Sequence, residues 1–191
     1  MARKNSRVTY LVSGDTNIHP THHVLRKSGK RVRYDIQVHA KAASELKIGR
    51  SFVVVAHGRA DGTVLWFSSA RGTAQPWLWV GMPTPPRDTR LYIYSCMAGK
   101  KLSPFLNRCE ALGHKDVVPM PLEGSRRAVL GFLNEVDRLI ADQSLHPQDW
   151  AKELARYVNE TLSTEAERPT PHLGTITAMM YLRRSMDYAD T

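Results

Sequence analysis

Phe52-Val53-Val54-Val55-Ala56-His57-Gly58 and Leu91-Tyr92-Ile93-Tyr94-Ser95-Cys96-Met97-Ala98-Gly99 decide how this chain is read. Each opens with four or five apolar, β-prone residues, the pattern of a strand buried on both faces. Each then stops at a reactive side chain, with glycine directly after the first and three residues after the second. In an open parallel sheet the carboxyl ends of the strands share one crevice. If the two segments are parallel neighbours, His57 and Cys96 meet at that rim as a proton acceptor and a nucleophile.

Working outward, residues 8–12 predict a first strand closed by Ser13-Gly14-Asp15, followed by a long polar stretch from His19 to Gly29. Residues 31–38 alternate loosely, and residues 40–46 predict a short helix ended near Gly49. Beyond Gly58, Asp61-Gly62 predicts a tight turn into a β-excursion over residues 63–67. Pro76, Pro83, Pro85 and Pro86 make the approach to the second segment irregular. The 39 residues from His57 to Cys96 are ample for a parallel crossover.

After Gly99, Leu102, Phe105, Leu106, Cys109 and Leu112 recur at helical spacing, which predicts a helix stopping at Gly113 with Cys109 on its core stripe. Residues 116–122 predict a further strand, placed at an edge by Pro119 and Pro121. Ser125 is a candidate cap for a helix that buries Val129, Phe132, Leu133, Val136 and Ile140. Residues 147–162 predict a second helix facing inward with Trp150, Leu154, Tyr157, Val158 and Leu162. Residues 175–182 fit a strand somewhat better than a helix. Alternating strands and helices mean α/β architecture with a mostly parallel sheet, and 191 residues suit a single domain over 1–191.

Composition narrows the function classes. A hydrophobic content of 42% argues for a folded globule. No apolar stretch reaches the roughly 18 residues of a membrane span. Two cysteines without metal-type spacing, and a basic start lacking a secretory apolar core, predict a reducing, cytoplasmic setting. The net charge of +9 is concentrated in residues 1–50, with eleven Lys/Arg against Asp15, Asp35 and Glu45. Such a lobe can attract nucleic acid or an acidic protein surface, yet only Tyr34 is at hand to stack on bases, which favours a solvated basic surface. His19, His22 and His23 lack a fourth ligand and are expected in a polar surface loop, with no metal. Trp66, Trp77 and Trp79 are expected to pack the excursion. No Gly-x-Ser-x-Gly, P-loop, His-Glu-x-x-His or Cys-x-x-Cys occurs.

A thiol near its ordinary pKa is mostly protonated, so an imidazole beside it is needed to raise the thiolate fraction. The tetrahedral intermediate of acyl transfer needs two N–H donors. Gly58, with no side chain, and Cys96, where strand gives way to helix, supply candidates. Gly99 is expected to allow a sharp turn into that helix.

His-Gly closing one buried strand and Ser-Cys-Met-Ala-Gly closing the next resembles the caspase-like cysteine peptidases, closest in look to bacterial CHAT-type members. The resemblance covers about residues 8–140. It implies a three-layer sandwich with a central sheet flanked by helices, a Cys96/His57 dyad, Gly58 and Cys96 as oxyanion donors, and no metal or organic cofactor. It further implies a protein or peptide substrate and a regulatory protein partner. Gln-Ala-Cys-x-Gly is absent, so the chain would be a relative of caspases rather than one of them. Several basic-specific members carry an acid just before the nucleophile, where this chain has Ser95. Asp15, Asp61 and Glu123 each follow a predicted strand or its turn and are the candidates for lining a substrate pocket, with Ser95 beside them. Two other readings stand beside the endopeptidase: a catalytically idle caspase-like interaction module, and a basic nucleic-acid-binding protein whose Cys and His are structural. Cys109 is assigned to the core.

Overall fold

The apolar runs of the sequence form a five-stranded, all-parallel sheet. In this computed structural model the described residues are 8–14, 18–34, 51–67, 74–77, 88–102 and 109–186. The strands are β1 (Val8–Val12), β2 (Val32–Tyr34), β3 (Ser51–Val55), β7 (Arg90–Tyr94) and β8 (Glu110–Gly113), in the sheet order β2-β1-β3-β7-β8. Every residue of β1, β3 and β7 is buried, as expected for strands covered on both faces. The order of the elements is consistent with a three-layer α/β sandwich.

Side chains alternate between two cores. Tyr10, Val12, Val53, Val55, Tyr92 and Tyr94 point to one face. There they meet α1 (His19–Lys27), α2 (Arg126–Ala141), α3 (Pro147–Ala166) and α4 (Leu173–Ser185). Leu11, Phe52, Val54, Leu91 and Ile93 point to the other face, with Val64, Ala98, Leu102 and Cys109. The excursion after β3 is a small antiparallel sheet of β4 (His57–Gly58), β5 (Val64–Phe67) and β6 (Ala74–Trp77). Pro76 sits in β6, an edge strand that tolerates a missing donor.

Polar pairs tie the first helical face to the sheet. Tyr10 donates to Asp137 at 2.8 Å, and Lys30 pairs with the same carboxylate at 2.5 Å. Burial raises the Asp137 pKa, and the Lys30 charge opposes that rise. At the far end of β7, buried Arg90 donates to Glu110 at 2.6 Å and to the carbonyls of Ile140, at 2.9 Å, and Asp142 at the end of α2. Its guanidinium also lies 4.6 Å from the Trp150 ring centre. A cation at those carbonyls satisfies acceptors that the helix itself leaves open.

Several sequence expectations are corrected. The expected loop from His19 is helix α1, whose buried positions Thr21, His22, Val24 and Leu25 lie on one face of the helix although two of them are polar. Of the helix expected from Leu102 to Gly113, residues 110–113 are instead strand β8, Cys109 precedes that strand, and 103–108 lie outside the described residues. Residues 116–122 form no strand; prolines 119 and 121 remove the donors a ladder needs. Residues 175–182 are helical, in α4, whose buried Thr175, Ala178, Met179 and Leu182 repeat at three and four. Ser125 stands at the start of α2 but donates to Met120 and Leu122 carbonyls instead of capping. The helix expected at 40–46 lies outside the described residues, as do Trp79 and the side chains of Trp66 and Trp77.

Candidate active site

The register of β3 on β7 pairs Val55 with Tyr94, so His57 and Cys96 each follow their strand by two residues at the same edge of the sheet. Their parity agrees as well. Val55 and Tyr94 face the four-helix side, and Cys96 packs against that same core. Both residues are half-buried, and Cys96 is a thiol.

Gly58 brings the two segments together. A Cβ at this position would lie 1.8 Å from the Cys96 carbonyl oxygen, 2.7 Å from its carbon and 2.8 Å from Ser95 Oγ. Only the bare Cα of glycine lets the backbone beside His57 lie against the backbone of Cys96. Arg59 donates its N–H to Thr63 at 2.9 Å across the small sheet. Alternation along an antiparallel strand then turns the Gly58 N–H away from β5.

Beyond Cys96 the chain turns sharply, but not at Gly99. Met97 takes the left-handed conformation (φ 59°), and a 3-10 turn follows over Ala98–Lys101. Gly99 serves close approach instead. A Cβ there would stand 2.6 Å from the Gly113 carbonyl oxygen, and its N–H donates to His114 at 2.8 Å. Met97 N–H donates to the Asp116 carbonyl at 3.2 Å, so the turn after Cys96 is laced to the end of β8.

Two residues of this rim went unnominated in the sequence. His114 is fully buried between Tyr92, whose hydroxyl lies 2.8 Å from Nε2, and Ser185, whose Oγ lies 2.7 Å from Nδ1. Ser185 Oγ donates onward to the Leu182 carbonyl, so it accepts from Nδ1–H, and Nε2 accepts from Tyr92. Burial lowers the His114 pKa to about 3, so the ring is neutral. Asp116 accepts from the Val117 N–H at 2.7 Å and pairs with Arg184 at 2.5 Å; the first contact is the larger cause of its lowered pKa. An apolar run ending in histidine, Ala111-Leu112-Gly113-His114, repeats the pattern of β3, but helical spacing across it hid the strand.

The nominated pocket residues scatter. Asp61 is exposed and accepts from the Thr63 N–H at 3.0 Å, closing the turn between β4 and β5. Lys100 reaches the Ala60 carbonyl at 3.4 Å, so this turn lies beside the one that follows Cys96. Glu123 is exposed in the turn before α2. Ser95 is wholly buried behind Gly58, and its hydroxyl has no hydrogen-bond partner among the described residues. Asp15 lies outside the described residues.

Cys109 is a core residue, with burial pushing its thiol up to about 11. The expected surface loop of histidines is instead helical: His22 is buried, His23 is exposed, and their rings are 4.9 Å apart. The side chain of His19 lies outside the described residues. Among the described residues no group of three or more His, Cys, Asp or Glu could hold a metal ion, and no helix is long and apolar enough to cross a membrane. No protein-family profile, curated protein or solved structure matches the chain.

Proposed function

We propose that this chain is a cysteine endopeptidase of caspase-like type that cleaves a protein partner through Cys96 and His57, without metal or organic cofactor. The observation that carries this reading is the closure of Gly58 on the Cys96 backbone, which fixes an imidazole and a thiol on adjacent strand ends. Cys96 Sγ attacks the scissile carbonyl carbon while its proton passes to the His57 ring. The oxyanion accepts hydrogen bonds from the N–H groups of Gly58 and Cys96. As the C–N bond breaks, His57 returns the proton to the leaving amine. Water then gives a proton to His57 and attacks the thioester, releasing the acid and the Cys96 thiol. A cytoplasmic effector under the control of a regulatory partner is the biological setting we infer.

The test is labelling with a panel of peptidyl acyloxymethyl ketones that differ at the residue before the warhead. Cys96 should be modified by at least one member, and His57→Ala should abolish that modification. A folded protein whose Cys96 resists the whole panel would be an interaction module instead. Comparing the proteins cleaved in cells by wild type and by Cys96→Ala would then identify the substrate.

A further inference from the structure

All the large apolar side chains exposed among the described residues gather on one surface. They are Val117, Leu122, Leu173, Met180 and Tyr181. Leu173, Met180 and Arg184 are spaced seven and four residues apart on α4, so they form one stripe, opposite the buried stripe of Ala178, Met179 and Leu182. The segment from 115 to 124 runs alongside this helix and is joined to it at both ends. At one end Lys115 N–H donates to the Ser185 carbonyl at 2.8 Å, and Asp116 pairs with Arg184. At the other, a Cβ on Gly174 would meet the Gly124 carbonyl oxygen at 2.0 Å, so the two backbones touch. Val117 and Leu122 therefore extend the α4 stripe sideways into one apolar surface, the kind that marks an interaction site when its rim is polar.

The rim is cationic. Arg126 and Arg127 are exposed just beyond the Gly124 contact, and Arg183 is exposed on α4 itself. Against them stand Glu123, exposed, and Asp116, already paired with Arg184. A second copy of the chain would present the same cationic rim, and like-charge repulsion disfavours that pairing. A membrane is a poorer fit than a peptide, because the exposed stripe belongs to a helix whose other face is fixed in the core and cannot roll into lipid.

We propose that the outer face of α4, with residues 117–122, is a docking surface for an amphipathic segment of a partner protein carrying Asp or Glu beside its apolar residues. The proposal does not depend on peptidase chemistry. The surface is nonetheless close to the candidate site: His114 joins α4 through Ser185, and its carbonyl accepts from Gly99, three residues after Cys96.

The experiment is selection of a phage-displayed random 12-residue peptide library on the full chain, with counter-selection on a Met180→Asp/Tyr181→Asp variant. Peptides selective for wild type should combine Leu, Ile or Phe with Asp or Glu. A fluorescent version of one such peptide should bind the variant at least tenfold more weakly. Arg183→Glu should weaken it several-fold, as should raising salt from 0.05 to 0.5 M. Intrinsic tryptophan emission checks that the variants are folded; if the double variant is not, Arg183→Glu serves for counter-selection. Any of four results would overturn the proposal. They are no peptide selective for wild type, selective peptides devoid of acids, self-association relieved by the variant, and binding to phosphatidylserine vesicles that the variant abolishes.

Discussion

Replacing Gly58 with alanine probes the contact on which the candidate site depends. The new Cβ would start 1.8 Å from the Cys96 carbonyl oxygen, whereas such contacts essentially never fall below 3.0 Å, so the two segments must part by about 1.2 Å. The obstacle is backbone, which cannot rotate aside as a side-chain tip could. A misplacement of about 1 Å at a reacting pair costs on the order of 10²-fold in rate. Overpacking of this kind costs about 1–3 kcal/mol in stability, too little to unfold a typical domain. The assay needs no substrate: the rate of Cys96 alkylation by iodoacetamide at pH 7, followed by mass spectrometry. Cys109 is the internal reference, since burial pushes its thiol up to about 11 and it should stay unmodified at neutral pH. In wild type, with His57 on the adjacent strand end, Cys96 should be alkylated readily. In Gly58→Ala that rate should fall by on the order of 10²-fold. Gly29→Ala is the control: its φ of 83° makes alanine unfavourable, yet nothing lies within 4 Å, so stability should fall and Cys96 reactivity should not. A folded Gly58→Ala protein with the wild-type alkylation rate would refute the reasoning.

Cys96→Ala and His57→Ala should each remove proteolysis by several orders of magnitude, because members of a nucleophile–base unit fail together; circular dichroism should show both still folded. Cys109→Ser should keep the activity and lose about 1–3 kcal/mol in urea unfolding, since a hydroxyl would enter an apolar cluster. His114 has a folded-state pKa near 3, depressed by burial from 6.5. The unfolded chain therefore binds the proton first as pH falls. Its contribution is intact above about pH 6.5 and is lost on acidification at up to roughly 1.4 kcal/mol per pH unit. Urea unfolding at pH 7, 5.5 and 4.5 should show a shallower loss in His114→Phe than in wild type; equal slopes would discount the buried ring. Arg90→Met should cost about 1–3 kcal/mol by leaving the carbonyls of Ile140 and Asp142 at the end of α2 without their donor, without altering the rate of Cys96 alkylation.

The parts of the fold that could be read in the sequence are those whose burial leaves a periodic trace. β3 and β7 are buried on both faces, so they appear as unbroken β-prone runs. α2 buries one stripe and exposes the other side, so its apolar residues repeat at three and four. The other elements fail that test for separate reasons. α1 turns Thr21 and His22 inward, so half of its buried stripe is written in polar residues. α4 is apolar on both sides, because its outer face carries Leu173, Met180 and Tyr181, and its period is lost. β8 has four residues, too few to outweigh a helical spacing that carries on into it as far as Leu112.

The site divides along the same line. His57 and Cys96 could be nominated because strand ends in a parallel sheet share a rim, and two strand ends suffice to say so. Gly58 and Gly99 could be flagged as glycines, but the backbone each one touches lies 38 and 14 residues away, at Cys96 and Gly113. Only the fold supplies those partners. His114 is the extreme case, since its hydrogen bonds go to Tyr92 on a neighbouring strand and Ser185 on the last helix. Sequence spacing can propose which groups react. The close backbone contacts that hold those groups in place are tertiary, and at this rim they are made where a side chain would not fit.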